Sequence, residues 1–83
     1  MNKPLVRRLG NTIRHYRYKA QWTQEELAEY ADVHRNYISR VESGLIDISV
    51  SGLAKIAKAF NLTLCQILES TPQDRHFRKV TKS

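Results

Sequence analysis

The chain of 83 residues contains a single cysteine, Cys65, so it cannot form a disulfide bond within itself. Such sparse use of cysteine is typical of a reducing compartment, and we expect a cytoplasmic protein. No apolar run approaches the roughly 18 residues that a membrane-spanning helix needs. The N-terminal MNKPLVRRLG also lacks the apolar core of a signal peptide. The sequence therefore argues against a membrane protein and against export.

The sequence also lacks the residue groupings of metal sites and enzyme active sites. The histidines at positions 15, 34 and 76, taken with Cys65, match no zinc-binding spacing. No nucleophile has a dedicated base, no glycine-rich loop offers a phosphate cradle, and no carboxylate pair is placed for acid–base chemistry. We therefore expect no enzyme activity, no metal and no cofactor, and we interpret Cys65 as a core or interface residue.

Acidic residues are absent from the first 19 positions, which carry six bases. Residues 20–69 carry four bases and seven acids, and residues 70–83 carry four bases and one acid. The net charge of +6 is thus concentrated at the two ends of the chain. One explanation is a surface charge that favours solubility, and the functional alternative is a polyanionic partner.

Helix signals recur along the chain, whereas strand signals do not. Apolar residues at steps of three and four over 5–20 predict an amphipathic helix with a basic outer face. Thr23 and Glu26 form a capping box, which predicts the start of a second helix. The dipeptide Asp32-Val33 predicts a tight turn after it.

The second half of the chain continues this pattern. The third helix is expected to run to Ser43 and to stop at Gly44. Ser49 is the predicted cap of a fourth helix, and TLCQ repeats the capping box at Thr63, before a short fifth helix at 64–69. The prediction is an all-α protein, a compact five-helix bundle with a central helix-turn-helix.

A polar, basic stretch without a strong period follows the fifth helix. We therefore divide the chain into a helix-turn-helix domain, residues 1–69, and a basic C-terminal tail, residues 70–83. Phe77 and Val80 are the tail residues that could dock on the domain. The sequence shows no internal repeat and no second domain.

The connection between the second and third helices is about three residues long, which is short enough to fix a large angle between them. Ile38 and Val41 face the interior, so the other side of the third helix presents Arg35, Asn36 and Arg40. Arginine can hold guanine by two hydrogen bonds, and asparagine can hold adenine in the same way. Any surface helix also shows polar residues to solvent, so this side alone does not establish DNA reading.

The segment TQEELAEYADVHRNYISRVESG resembles the helix-turn-helix of the Cro/lambda-repressor-like family, also called the xenobiotic-response-element family. RLGNTIRHYRYKAQW resembles the family's first helix, and ISVSGLAKIAKAFNLTLCQILE its fourth and fifth, so the likeness covers about residues 7–69. The size and Tyr37 also resemble the restriction–modification controller proteins, small dimeric members of the family. The resemblance implies sequence-specific binding of double-stranded DNA, usually as a homodimer, with repression or activation at a promoter.

The resemblance also implies roles for individual residues. We expect base contacts from His34, Arg35, Asn36 and Arg40. The resemblance suggests phosphate contacts from Gln24 and Ser43. Apart from the resemblance, we also expect phosphate contacts from Ser39, whose hydroxyl could reach a phosphate oxygen, and from Thr23 and Tyr37. Arg17 and Glu42 are expected to form a structural ion pair, which agrees with the position of Glu42 beside the apolar stripe of the third helix.

Two positions depart from the family pattern. The turn position often filled by glycine holds Asp32, which tolerates left-handed backbone angles less well than glycine does. His34 stands where a small hydroxyl usually caps the third helix. Either His34 is a poorer cap traded for a base or phosphate contact, or the substitution is an indifferent one.

The fifth helix concentrates apolar side chains in few residues, and one face of it can serve the core. We expect a second subunit to cover the other face, with an interface that contains Leu64, Cys65, Ile67 and Leu68. A two-fold dimer would bind half-sites about one DNA turn apart in a roughly palindromic operator. The alternative is a monomer in which the fifth helix is fully buried.

Two other functions compete with transcription regulation. An antitoxin of the same fold would mask a partner toxin, and such proteins also bind DNA, so DNA binding alone does not separate the two. RNA binding is the weaker alternative, because a rigid helix suits the major groove of B-form DNA better than the deep, narrow groove of RNA.

Overall fold

The structure is a computed structural model that describes residues 3–71, and over that range it contains five α-helices and no β-strand. The helices are α1 (Lys3–Ala20), α2 (Gln24–Ala31), α3 (Arg35–Glu42), α4 (Val50–Ala59) and α5 (Leu64–Glu69). The predicted all-α bundle of five helices is confirmed. None of these helices combines the length and the apolar character that crossing a membrane requires. Beyond its first two positions, the tail 70–83, with Phe77 and Val80, lies outside the described residues.

The helices begin at the caps that the sequence predicts. The Thr23 hydroxyl accepts a hydrogen bond from the Glu26 N–H at 3.0 Å, and the Glu26 carboxylate accepts one from the Thr23 N–H at 2.8 Å. Thr63 and Gln66 make the same reciprocal pair at 3.1 and 2.9 Å. Ser49 caps α4. Each cap satisfies N–H groups that a helix start otherwise leaves without partners, and each stabilises its helix by about 1 kcal/mol.

Residues with left-handed backbone angles follow the helices at the predicted breaks. Gln21, Asp32 and Asn61 have φ angles of 61°, 59° and 61°, and Gly44 has a φ of 71°. Glycine adopts this region without a steric penalty, whereas each of the other three carries a local cost of about 1–2 kcal/mol. The residue that follows each of these three, Trp22, Val33 or Leu62, packs against the hydrophobic core.

All five helices contribute to one hydrophobic core. α1 packs against α3 and α5, and α2 packs against α3 and α4. The buried apolar residues are Leu9, Ile13, Leu27, Ala28, Ala31, Ile38, Val41, Leu53, Ile56, Ala57 and Ile67. The apolar stripe predicted for α1 is buried only in its middle turns, since Leu5 and Ala20 at its two ends are exposed.

The backbones of α1 and α3 approach closely at Gly10. A Cβ atom at this position would collide with the carbonyl oxygen of Val41 and would lie 3.0 Å from that of Glu42. Glycine is therefore required here for space rather than for an unusual φ angle. The approach brings the following turns of α1, with Arg14 and Arg17, onto the C-terminal end of α3.

Candidate DNA interface

α3 has one buried side and one exposed side. Ile38, Val41 and Glu42 are buried, with no more than 2% of each residue's surface exposed. Their spacing of three and one positions places them along one side of a helix. The four residues expected to contact bases are all exposed: His34, Arg35, Asn36 and Arg40. The helix is thus anchored along one side and offers the other to solvent.

A turn of three residues, 32–34, joins α2 to α3. The Asp32 N–H donates to carbonyls of the last turn of α2, and the Val33 N–H donates to the Ala28 carbonyl at 3.0 Å. The Val33 side chain packs against the core between the two helices. The predicted helix-turn-helix connection is therefore present, and aspartate adopts the left-handed angle that the resemblance associates with glycine.

His34 is the N-cap of α3. Its Nδ1 atom accepts a hydrogen bond from the Asn36 N–H at 3.1 Å. Histidine therefore does cap the helix, through a ring nitrogen rather than the usual side-chain oxygen. Because a neutral imidazole carries one hydrogen, the accepting Nδ1 leaves that hydrogen on Nε2. The exposed ring can still donate to a ligand.

The residues expected at phosphates lie in two environments. Thr23 and Ser43 are exposed, whereas Gln24, Tyr37 and Ser39 are half-buried. The Tyr37 hydroxyl lies against the start of α4, since a Cβ atom added to the glycine at position 52 would collide with it. The Thr23 hydroxyl accepts its capping bond and keeps its own hydrogen for donation.

The predicted ion pair between Arg17 and Glu42 is present. Arg17 donates from Nε to Glu42 Oε2 at 2.7 Å and from Nη2 to Oε1 at 3.0 Å, a two-bond fork. Both side chains are nearly inaccessible to water, at 9% and 0% exposure. The hydrogen bond to Glu42 is the main cause that raises the pKa of Arg17 above its ordinary value. The pair fastens the end of α3 to α1.

Two further residues bind Glu42, and sequence reasoning missed both contacts. Gln24 Nε2 donates to Oε1 at 3.1 Å, so the Gln24 side chain points to Glu42. Arg14 Nη2 donates to the Glu42 backbone carbonyl at 3.0 Å, and Arg14 Nε lies 3.5 Å from Oε1. Arg14 stands three positions before Arg17, on the same side of α1, and this spacing is the signal that could have found it.

α5 divides its apolar residues between the core and the surface. Ile67 is completely buried within a single chain, so it is not accessible at the surface where an interface was expected. Leu64 is half-buried, and Cys65 and Leu68 are exposed. Leu68 lines an apolar groove of about 310 Å³ together with Leu5 and Val50. The prediction of an interface at α5 therefore stays open for Leu64, Cys65 and Leu68.

Within residues 3–71, no group of three or more histidine, cysteine, aspartate or glutamate side chains could hold a metal ion. Cys65 is a free, exposed thiol. Apart from the carboxylates of Glu25 and Glu26 in the first turn of α2, the exposed side chains at α3 and the start of α2 offer hydrogen-bond donors. Phosphate oxygens and base edges are the acceptors that such donors bind in DNA.

A short turn, a helix anchored by its apolar side, and arginine, asparagine and histidine on the opposite side define a DNA-binding protein of the helix-turn-helix class. The family described as helix-turn-helix matches residues 13–67, and the chain belongs to that family. It is a DNA-binding regulator of transcription rather than an enzyme.

Curated relatives and solved structures agree with this assignment. The chain is 36% identical over 59 residues to the competence pilus inhibition repressor of Acinetobacter baylyi, covering 71% of this chain but only 54% of that relative. It is 36% identical over 63 residues to control protein C.BamHI of Bacillus amyloliquefaciens, covering 75% of this chain and 78% of the relative. The solved structure of the restriction-modification controller protein C.AhdI from Aeromonas hydrophila superposes with a TM-score of 0.72 at 26% identity, covering 75% of this chain and 94% of that one. The resemblance to controller proteins is confirmed.

Proposed function

We propose that the chain acts as a homodimer that binds a roughly palindromic operator in double-stranded DNA and thereby represses or activates the neighbouring promoter. The observation that carries this proposal is the division of α3, whose apolar side is buried while His34, Arg35, Asn36 and Arg40 are all exposed. An α-helix fits the major groove, and an anchored one enters it as a rigid unit.

The base contacts follow from the chemistry of the exposed side chains. Arg35 and Arg40 each suit a guanine, because a guanidinium donates to O6 and N7 together. Asn36 suits an adenine, to which its amide both donates and accepts. The His34 Nε2–H is a single donor and suits one acceptor at a base edge. Each good two-bond contact is worth roughly 1–3 kcal/mol of discrimination against a wrong base.

The phosphate contacts are proposed for donors around the start of α2 and the ends of α3. Thr23 and Gln24 stand at the start of α2, where the N–H groups and the positive end of the helix dipole favour a phosphate. Tyr37, Ser39 and Ser43 bring hydroxyl groups along α3. These contacts would position the protein on the duplex without reading its sequence.

The dimer is proposed to form through α5 and the groove beside it. Leu68, Leu5 and Val50, which are 41%, 37% and 75% exposed, line this groove between α1, α4 and α5. Leu64 and Cys65 lie one turn before Leu68, and Ile67 is excluded because it belongs to the core. A second copy seated on the groove would remove apolar surface from water, at roughly 25 cal/mol per Å².

Sedimentation equilibrium tests the dimer. We expect a dimer for the wild type and a monomer for Leu68→Glu, which places a charge on the proposed contact. A wild-type monomer at tens of micromolar would contradict the dimer. A two-fold dimer aligns its α3 helices with half-sites about 34 Å apart, which is why the operator is proposed to be palindromic.

The proposed location is the cytoplasm, where a regulator of transcription meets its DNA. The antitoxin alternative would add a protein partner to the same DNA-binding fold. It predicts a stable complex with a toxin, whereas the regulator needs only its operator. The names of the three relatives described above refer to repression or control and not to a toxin.

Selection of bound sites from random duplex DNA tests specificity, symmetry and spacing together. The expected result is an enriched motif with two inverted halves whose centres are about 10 base pairs apart. Recovery of unrelated sequences would contradict sequence-specific regulation. An enriched motif without inverted halves would support sequence-specific DNA binding. It would contradict binding of a two-fold dimer to a palindromic operator.

A further inference from the structure

Two cationic side chains and one carboxylate meet at the C-terminal end of α3. Arg17 donates to both oxygens of the Glu42 carboxylate, at 2.7 and 3.0 Å. Arg14 adds a second guanidinium, with Nε 3.5 Å from Oε1. Among residues 3–71, Glu42 is the one carboxylate within ion-pair distance of Arg14. One of the two positive charges is therefore left without an anion.

Gln24 lies at the same carboxylate oxygen as Arg14. Gln24 Nε2 and Arg14 Nε are 3.1 and 3.5 Å from Glu42 Oε1, so the two donor groups are neighbours. An amide nitrogen keeps one hydrogen after this bond, and a guanidinium with five N–H donors keeps several. The Arg14 side chain is 38% exposed, so its remaining donors are accessible.

We propose that Arg14 is a DNA-phosphate-binding residue, and that Glu42 is the positioning residue that holds Arg14 and Gln24 side by side against one phosphate. This inference rests on the proposed function above. An unmatched positive charge beside a donor amide fits a phosphodiester, whose oxygens accept from both groups. Because Glu42 belongs to α3, the same carboxylate ties this phosphate contact to the helix that presents the base-reading residues.

A purely structural role for Arg14 makes different predictions. Arg14 also donates to the last carbonyl of α3, where a cation is favoured by the helix dipole. Replacing Arg14 would lower thermal stability under either role, because the hydrogen bond to this carbonyl is lost in both cases. Only under the phosphate role does replacing Arg14 also change the salt dependence of DNA binding and the set of operator phosphates that contribute to affinity.

The first measurement compares the wild type with Arg14→Gln and a matched control, Lys58→Gln, on the selected operator. Lys58 is exposed and lines a groove with Tyr30, at the opposite end of α2 from Gln24. Between 50 and 200 mM salt, the ratio of the wild-type binding constant to that of Arg14→Gln is expected to fall about 3.5-fold, which corresponds to one phosphate contact. Lys58→Gln should keep the wild-type slope, and so should Arg14→Lys, which keeps the charge. Equal slopes for the wild type and Arg14→Gln would overturn the proposal.

The second measurement replaces operator phosphates one at a time by neutral methylphosphonates. At one position in each half-site, the replacement is expected to weaken binding by the wild type strongly and binding by Arg14→Gln and Gln24→Ala much less; at the other contacted phosphates, all three proteins should respond alike. If the loss of affinity at every methylphosphonate position were the same for all three proteins, the proposal that Arg14 and Gln24 share one phosphate would be overturned. Thermal melts establish that each variant is folded at the assay temperature. Failure of the proposed function looks different, because the wild type would then prefer no sequence before any variant is made.

Discussion

The Nδ1 atom of His34 lies 3.1 Å from the backbone nitrogen of Asn36 and accepts its N–H, so a histidine starts the helix proposed to read DNA. Serine, threonine, aspartate and asparagine usually make this bond. Capping and ligand binding are compatible in His34 because they use different nitrogens. Nδ1 accepts from the backbone, and Nε2 carries the hydrogen that remains available for DNA.

His34→Ala and His34→Ser separate these two roles. Alanine removes the cap acceptor, and we expect it to lower the free energy of unfolding by about 0.5–2 kcal/mol. Serine restores an acceptor and should recover most of that loss. Both variants lose the Nε2 donor, so both should bind the operator more weakly than the wild type. Urea unfolding measures the first effect and a binding titration the second. Equal stability of the alanine and serine variants would contradict the capping role.

The buried carboxylate of Glu42 leads to the second prediction. Glu42→Gln leaves the buried guanidinium of Arg17 without its counter-charge, and we expect a loss of about 3–5 kcal/mol in the free energy of unfolding. The double variant Arg17→Met, Glu42→Leu removes both buried charges and is expected to recover a large part of this loss. Denaturant unfolding at low temperature measures all three proteins. A double variant less stable than Glu42→Gln would show that the unpaired charge of Arg17 does not cause the loss of stability.

Local signals made much of the fold predictable, and long-range geometry did not follow from them. The capping boxes at Thr23 and Thr63 need only residues three positions apart, and both are present. The contacts of Glu42 with Arg14 and Gln24 join residues 28 and 18 positions apart, and they depend on the angle between helices. That angle depends in turn on the absence of a side chain at position 10.

For a related reason, the sequence could not predict which apolar residues of α5 are buried and which are exposed. Ile67 and Leu68 are neighbours, and both are apolar. The sequence pattern therefore does not decide which of the two faces the core. A rotation of one residue, about 100°, decides which of them faces the core. The structure buries Ile67 completely and leaves Leu68 41% exposed. Packing against α1 and α4, rather than composition, makes that choice.

The close approach of α1 to α3 leads to the third prediction. Gly10→Ala is expected to destabilise the protein by about 1–3 kcal/mol, although alanine has the higher helix propensity. The added methyl group meets backbone carbonyl oxygens of α3, which cannot rotate away. Thermal or denaturant unfolding measures the loss.

Gly52→Ala is the matched control, because it makes the same change inside another helix. Its methyl group meets the hydroxyl end of Tyr37, a side chain that can move aside. We expect a smaller loss of stability, together with weaker DNA binding if Tyr37 contacts a phosphate as proposed. A Gly10→Ala variant as stable as Gly52→Ala would show that α1 tolerates a greater distance from α3.

Arg35 and Arg40 carry the last prediction. Arg35→Ala and Arg40→Ala are each expected to weaken binding to the selected operator by roughly 1–3 kcal/mol, because each removes a two-bond contact to a guanine. Binding to unrelated duplex DNA should change little, since non-specific affinity comes from phosphate contacts. Each variant should also lose base preference at one position of each half-site, which a repeated selection from random DNA measures.

Lys55→Ala provides the control for charge, because Lys55 is exposed on α4, in a groove with Tyr30, and is not part of the proposed interface. It should leave the selected motif unchanged. If Arg35→Ala lowered specific and non-specific affinity equally, Arg35 would be a phosphate contact, and the assignment of base reading would fail for that residue. The same comparison for Arg40 is independent, because the two arginines lie more than one helical turn apart on α3 and so would meet different base pairs.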